Sequence, residues 1–113
     1  MAADALETMT TFWETQDRGD WDAVAALFAD DAVVVDPLYG TFEGRDAIDG
    51  FFSRVSAEMA EIGATFRLVD LAADGEVAWA EWEATTDRGD LTGAGLYRAR
   101  DGRITYYRDH IDR

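Results

Sequence analysis

Apolar residues recur with helical spacing through the first half of the chain and with strand alternation through the second. Leu6, Met9 and Trp13 fall three and four positions apart, with Glu7 and Glu14 off that stripe, which predicts an amphipathic helix over residues 3–17 that stops at Gly19. Asp20 is placed to cap a short second helix carrying Trp21, Val24, Leu27 and Phe28 on its buried side, with Asp22 in the first turn, where the helix dipole favours an acid. From Ala32 a run of three valines predicts a strand, and Pro37 ends it, biasing Asp36 at the strand terminus towards an extended backbone. After a Tyr39-Gly40 turn and a short extended piece, Gly44 opens a third helix with Ile48, Phe51, Phe52, Val55 and Met59 on one stripe.

From Ala64 onward the pattern is strand and turn. Strands are expected at Thr65 to Leu71, Glu76 to Thr86, Leu91 to Arg100 and Arg103 to Ile111, separated by Asp74-Gly75, Arg88-Gly89-Asp90 and Asp101-Gly102. Helices first and a meander last predict an α+β fold with the helices on the concave face of one sheet. With 113 residues and no linker or low-complexity stretch, one domain over 1–113 is expected.

Strand alternation also sorts side chains by face. Val77, Trp79, Glu81 and Glu83 share one side of their strand, and Ala78, Ala80, Trp82 and Ala84 share the other. Both sides are partly apolar, so the sheet is expected to be covered twice, by helices within and by a second copy outside, as a homodimer. On the next strand Leu91, Gly93, Gly95 and Tyr97 share a face, where the two glycines either leave room for a cavity or relieve strain in a bent strand.

Composition narrows the chemistry. There is no Cys and one His, which excludes disulfides, thiolate zinc sites, cysteine nucleophiles and multi-histidine metal sites, so no metal and no cofactor is expected. The net charge of −14 repels phosphate backbones and anionic membranes, so neither nucleic acid nor membrane is an expected partner. No charged leader or bilayer-length apolar run is visible, and the expected location is cytoplasmic. All ten basic residues are Arg, and Asp outnumbers Glu sixteen to eight, a bias that fits either a halophilic source or a GC-rich genome. Neither a phosphate-cradling glycine loop nor a nucleophile elbow is present. Two Arg-Gly-Asp tripeptides fall in turns, and the spacing of Asp17, Asp20 and Asp22 suits helix capping better than calcium.

Five segments carry a family resemblance: Phe28-Ala29-Asp30-Asp31-Ala32, Val34-Val35-Asp36-Pro37, Phe42 to Ile48, Asp101-Gly102-Arg103-Ile104 and Tyr107-Arg108-Asp109. In this order they resemble the SnoaL-like branch of the nuclear transport factor 2-like superfamily, with its polyketide cyclases, ketosteroid isomerases and limonene epoxide hydrolases. The resemblance implies a cone-shaped, cystatin-like fold, three N-terminal helices on a strongly curved, mostly antiparallel sheet around one pocket. It puts the isomerase base on Asp36, while the isomerase's two oxyanion donors would fall near Phe12 and Gly95, leaving the oxyanion unsupported unless another group such as Tyr97 moves in. Of the hydrolase constellation only the last-strand aspartate survives, as Asp109. The arginine and aspartate of the middle strand fall on Glu81 and Glu83, and the tyrosine and asparagine that hold water fall on Val34 and Asp36.

The family register turns Tyr107, Asp109 and Ile111 inward and His110 outward. The candidate catalytic residues are then Asp36, Asp109, Glu81 and Glu83, four carboxyls in one hollow whose mutual repulsion and desolvation would keep some protonated. A base beside a neutral acid is what enolisation or aldol-type ring closure requires. The alternative for Glu81 and Glu83 is pairing with Arg67, Arg98 or Arg108. Expected wall residues are Trp13, Val34, Tyr39, Phe52, Met59 and Trp79, with Gly93, Gly95, Tyr97 and Tyr107 on the later strands. The implied function is cofactor-independent proton transfer on a small apolar substrate, of isomerase or cyclase type. The alternatives are a non-catalytic module for small-ligand binding or dimerisation, and epoxide hydrolysis.

Overall fold

The computed structural model describes residues 4–112, so residue 3 of the expected first helix lies outside the described residues. Helix α1 (Ala5–Asp17) begins where the Asp4 carboxylate accepts from the backbone N–H of Glu7 at 3.0 Å. Its inward face is Ala5, Met9, Phe12, Trp13 and Gln16. Leu6 points out and is 45% exposed, contrary to the expected stripe, because α1 packs across the sheet on its Ala5 and Met9 side. Asp20 caps α2 (Trp21–Ala26) through the Ala23 N–H at 3.2 Å, as its position in the sequence predicts. Phe28 is buried as the first residue of strand β1 (Phe28–Asp36) and not as part of the second helix.

Strand β2 (Gly40–Glu43) leads through Gly44, at φ 87°, into α3 (Arg45–Glu61). Arg45 fastens that corner, donating to the carbonyls of Phe28 at 2.9 Å and Ala25 at 2.7 Å, and so satisfies groups left over where α2 ends. The meander follows as β3 (Thr65–Asp74), β4 (Val77–Thr86), β5 (Gly89–Arg100) and β6 (Arg103–Ile111). In the β5–β6 turn Asp101 and Gly102 both take positive φ, 53° and 79°, the geometry that an Asp-Gly hairpin turn demands.

The sheet order is β2-β1-β6-β5-β4-β3, antiparallel except where β1 runs parallel to β6. The three helices on this open, mostly antiparallel sheet make the α+β, cystatin-like architecture expected. The core fills the space between helices and sheet, with Phe28 against Phe52 at 5.1 Å and Phe12 against Tyr107 at 5.4 Å between ring centroids. Among the described residues no helix is long and apolar enough to cross a membrane.

Candidate functional site

The inner face of the sheet is set by residues small enough to admit α1. On β4 these are Ala78, Ala80 and Ala84, with Trp82 the one large side chain among them, and all four are buried. The other side of β4 is the outer surface. Trp79 is 48% exposed there, Glu81 is exposed, and Glu83 pairs with Arg67 at 2.8 Å. Glu81, Glu83 and Trp79 therefore do not reach the hollow, which corrects their expected positions. A charged face turns to water, and the Ala-rich face turns to the helix.

A cavity of about 150 Å³ lies between the helices and the inner sheet. Of the expected wall residues, Trp13, Tyr39, Phe52, Met59 and Tyr107 line it, as do Asp36 and Asp109. Val34 is wholly buried in the core instead. Gly93 and Gly95 border no open space: the Trp82 ring occupies the place where a Cβ would stand at Gly93, and the Tyr97 hydroxyl occupies that at Gly95. Tyr97 itself is fully buried and acts on the site through its hydroxyl. The glycines thus make room for two long side chains that lean over them, a use that alternation alone does not reveal.

Those side chains converge on Asp109. Its Oδ1 accepts from the Tyr97 hydroxyl at 3.0 Å and the Trp82 indole N–H at 3.3 Å, and its Oδ2 accepts from the Tyr107 hydroxyl at 2.5 Å. Burial pushes the Asp109 carboxyl up to about 6; the tyrosine and indole donors oppose that rise, and the nearby Asp36 adds to it. Burial, then the Asp109 charge, lifts both phenols well above their ordinary range, so Tyr97 and Tyr107 stay protonated as donors.

Asp36 stands beside this cluster because β1 and β6 are parallel. Val34 pairs with Tyr107 and Val35 with Arg108, and one step further along both strands are Asp36 and Asp109. Asp36 Oδ1 accepts from the N–H groups of Leu38 at 2.8 Å and Tyr39 at 3.1 Å, the turn that Pro37 initiates, while no protein donor holds Oδ2 among the described residues. Burial raises the Asp36 carboxyl, and the two backbone donors partly offset it. Tyr39 walls the mouth, donating to Glu58 beneath the Arg54 guanidinium, which lies 4.7 Å from its ring centre. Burial and the Glu58 contact push its phenol up to about 12.

Residues 9–107 match the SnoaL-like domain. The chain belongs to this family. Solved structures of the nuclear transport factor 2-like superfamily share the fold of this SnoaL-like protein. One, a protein of unknown function from Mesorhizobium loti, is 25% identical with a TM-score of 0.78, over 95% of this chain and 89% of that one. A candidate ketosteroid isomerase from Kribbella flavida is 21% identical at a TM-score of 0.80, over 96% and 77%. A candidate polyketide cyclase from Sinorhizobium meliloti is 21% identical at 0.77, over 92% and 94%. No curated protein matches the chain in sequence.

Sequence reasoning did not single out Trp82 or Gln16 for this SnoaL-like site. The signal for Trp82 was present, since it sits on the one face of β4 that carries no charge. Among the described residues no group of three or more His, Asp or Glu side chains is arranged to hold a metal ion.

Proposed function

We propose that this SnoaL-like protein catalyses proton transfer at carbon beside a carbonyl group of a small, largely apolar molecule. One observation carries the reading: two carboxyls stand side by side on parallel strands in the wall of an otherwise mostly apolar cavity, and one of them has its pKa lifted to about 6. Such a pair shares its protons as a unit, and the first to ionise holds the proton on the other.

The division of roles follows from the hydrogen bonds. Asp36 has an oxygen without a protein donor and is the base. Asp109 is the neutral partner. Trp82 can only donate, so a protonated Asp109 keeps Oδ1 bare towards Trp82 and carries its proton on Oδ2. It then donates to the Tyr107 oxygen, and the Tyr107 proton is free to turn into the cavity that this residue lines. A carbonyl oxygen bound there gains its donor as negative charge develops, the support that the empty positions at Phe12 and Gly95 do not supply. The proton taken by Asp36 returns to another carbon in an isomerisation, or the enolate attacks a second carbonyl in a ring closure.

The test is exchange of α-hydrogens of cyclohexanone in D2O, followed by mass spectrometry. Asp36→Asn should slow exchange by roughly 10²- to 10⁴-fold with the fold intact. Parent-like exchange in that variant would remove the reading and leave a ligand-binding shell, which the full set of donors on Asp109 also suits. The active state needs Asp36 ionised and Asp109 protonated, so kcat/KM should fall as pH rises through about 6. A rate that climbs steadily from pH 5 to 8 contradicts this assignment.

The outer sheet face supports a homodimer. Trp79 and Leu96 pair across β4 and β5, exposed to 48% and 37%. Exposed carboxylates of Asp70 and Glu81 flank this stripe on one side and Arg98 on the other. A twofold axis through the stripe sets Arg98 of one copy against Glu81 of the other, the self-complementarity that an isologous contact needs. Trp79→Asp should sediment as a monomer at concentrations where the parent is a dimer. A monomeric parent at tens of micromolar would dispose of the idea.

A further inference from the structure

At one end of the cavity the wall is both apolar and exposed. Leu38, in the turn that Pro37 initiates, and Leu91, near the start of β5, both line the cavity, yet they are 56% and 39% exposed. A large apolar side chain standing alone on a surface needs no explanation, but exposed ones joined to an apolar interior mark a ligand groove. Of the other exposed large apolar side chains among the described residues, Trp79 and Leu96 belong to the outer stripe, and Leu6 and Val69 are not among the cavity walls.

Strand register gives the distance from this edge to the reacting groups. Gly95 pairs with Asp109 and Gly93 with Ile111, so Leu91 stands four residues along β5 beyond the level of Asp109, about 13 Å at the rise of a strand. Alternation keeps Leu91 on the inner face: it pairs with Ala84, which is buried there, and shares its side with Gly93, over which the Trp82 ring leans. A six-membered ring whose carbonyl oxygen accepts from the Tyr107 hydroxyl covers only about half of that length. The sheet order sets the two leucines apart. Leu38 follows β1, Leu91 belongs to β5, and Ile111 at the end of β6 lies between them, packed against the core. Ile62, where α3 ends, adds an aliphatic group to the same cavity from the helix side.

We propose that Leu38 and Leu91 form a subsite for an uncharged alkyl substituent that the ligand carries on the side away from its carbonyl. The ligand class is then a single-ring ketone with a short apolar tail. The ring fills the cavity of about 150 Å³, a space of the order that takes one six-membered ring, and the tail runs out between the two leucines. The subsite rests, as the proposed function does, on the cavity being a ligand site, but it asks nothing of proton transfer. It selects by apolar area removed from water, so the preference grows with tail length until the tail passes Leu91.

The experiment compares 4-propylcyclohexanone with cyclohexanone in calorimetric titrations; the two share the ring and the carbonyl. The parent should bind the propyl ketone roughly eightfold more tightly, about twofold for each tail carbon half covered by the leucines. In the double variant Leu38→Ser, Leu91→Ser that ratio should fall to about twofold, while Leu6→Ser, which removes an exposed leucine elsewhere, should keep it. The 13C-methyl signals of Leu38 and Leu91 in the parent should move further with the propyl ketone than with cyclohexanone, and they decide the matter if the double variant does not fold. Equal affinities in the parent, a ratio that survives the double variant, methyl signals that do not distinguish the two ketones, or a parent that binds neither overturns the subsite. So does a parent dimer that the double variant dissociates, which would assign the leucines to a contact between copies. Asp36→Asn separates the two readings. Parent-like exchange in that variant beside an intact propyl preference removes the chemistry alone, whereas equal affinities in the parent beside exchange lost in Asp36→Asn remove the subsite alone.

Discussion

Asp109→Asn is expected to yield a protein more stable than the parent at pH 7 and about equally stable at pH 4. The buried carboxyl has its pKa raised, so between its ordinary 3.8 and about 6 the folded state holds a proton that the unfolded chain has released. The stability tied to this group is therefore complete below about pH 4 and is lost as pH rises through 6. The gap corresponds to roughly 3 kcal/mol, and the neutral amide avoids that loss. Geometry also favours the amide. Because Trp82 only donates, Asn must turn its carbonyl to Trp82 and Tyr97 and its NH2 to Tyr107, the hydrogen bonds of the protonated acid. The same substitution should therefore keep exchange near the parent's acid-side rate and remove the decline above pH 6. Thermal unfolding of both proteins from pH 4 to 8, beside their rate profiles, checks this. An Asn variant that is less stable at pH 7, or that has lost exchange altogether, contradicts the assignment of Asp109 as the neutral partner.

Gly95→Ala should be strongly destabilising and should disturb the site directly. A Cβ there would overlap the Tyr97 hydroxyl and stand 2.5 Å from Asp109 Oδ1. Gly95 pairs with Asp109 across β5 and β6, so the strand cannot shift without carrying the carboxyl along. Tyr97 has no free space to swing into, being fully buried. Overpacking of this kind typically costs about 1–3 kcal/mol, and the upper end is expected because a buried acceptor also loses its donor. The denaturant midpoint should fall with an unchanged slope, and the Asp109 limb of the pH profile should move upwards as the Tyr97 bond is lost. A variant of parental stability would mean that Tyr97 is not held as the structure has it.

How far these features could be read from the chain differs element by element. The helices of Met9 to Trp13 and Ile48 to Val55 were legible because their apolar spacing is helical, and the Asp-Gly turns because few residues accept their backbone. Asp36 was legible at a strand end before proline. Which face of β4 looks inward was not recovered: the resemblance put Glu81 and Glu83 in the hollow, yet the buried side of the strand is that of Ala78, Ala80, Trp82 and Ala84. The glycines were legible as missing side chains but not as resting places for Trp82 and Tyr97, because what fills a gap comes from neighbouring residues and strands.

The sequence by itself determined local matters: the order of helices and strands, the cap at Asp20, the turn at Asp101-Gly102, and the presence of Asp36 and Asp109 on opposite halves of the chain. These depend on steric and hydrogen-bonding preferences that act over a few residues. Tertiary structure alone decided that the first and last strands run parallel side by side, which brings two carboxyls seventy-three positions apart (109 − 36) into one wall. It also decided that Trp82, Tyr97 and Tyr107 surround one of them and that the Trp13 indole is left without an acceptor. The reason is that a carboxyl's charge state depends on the water and dipoles around it, and folding supplies these from parts of the chain that carry no local mark of one another.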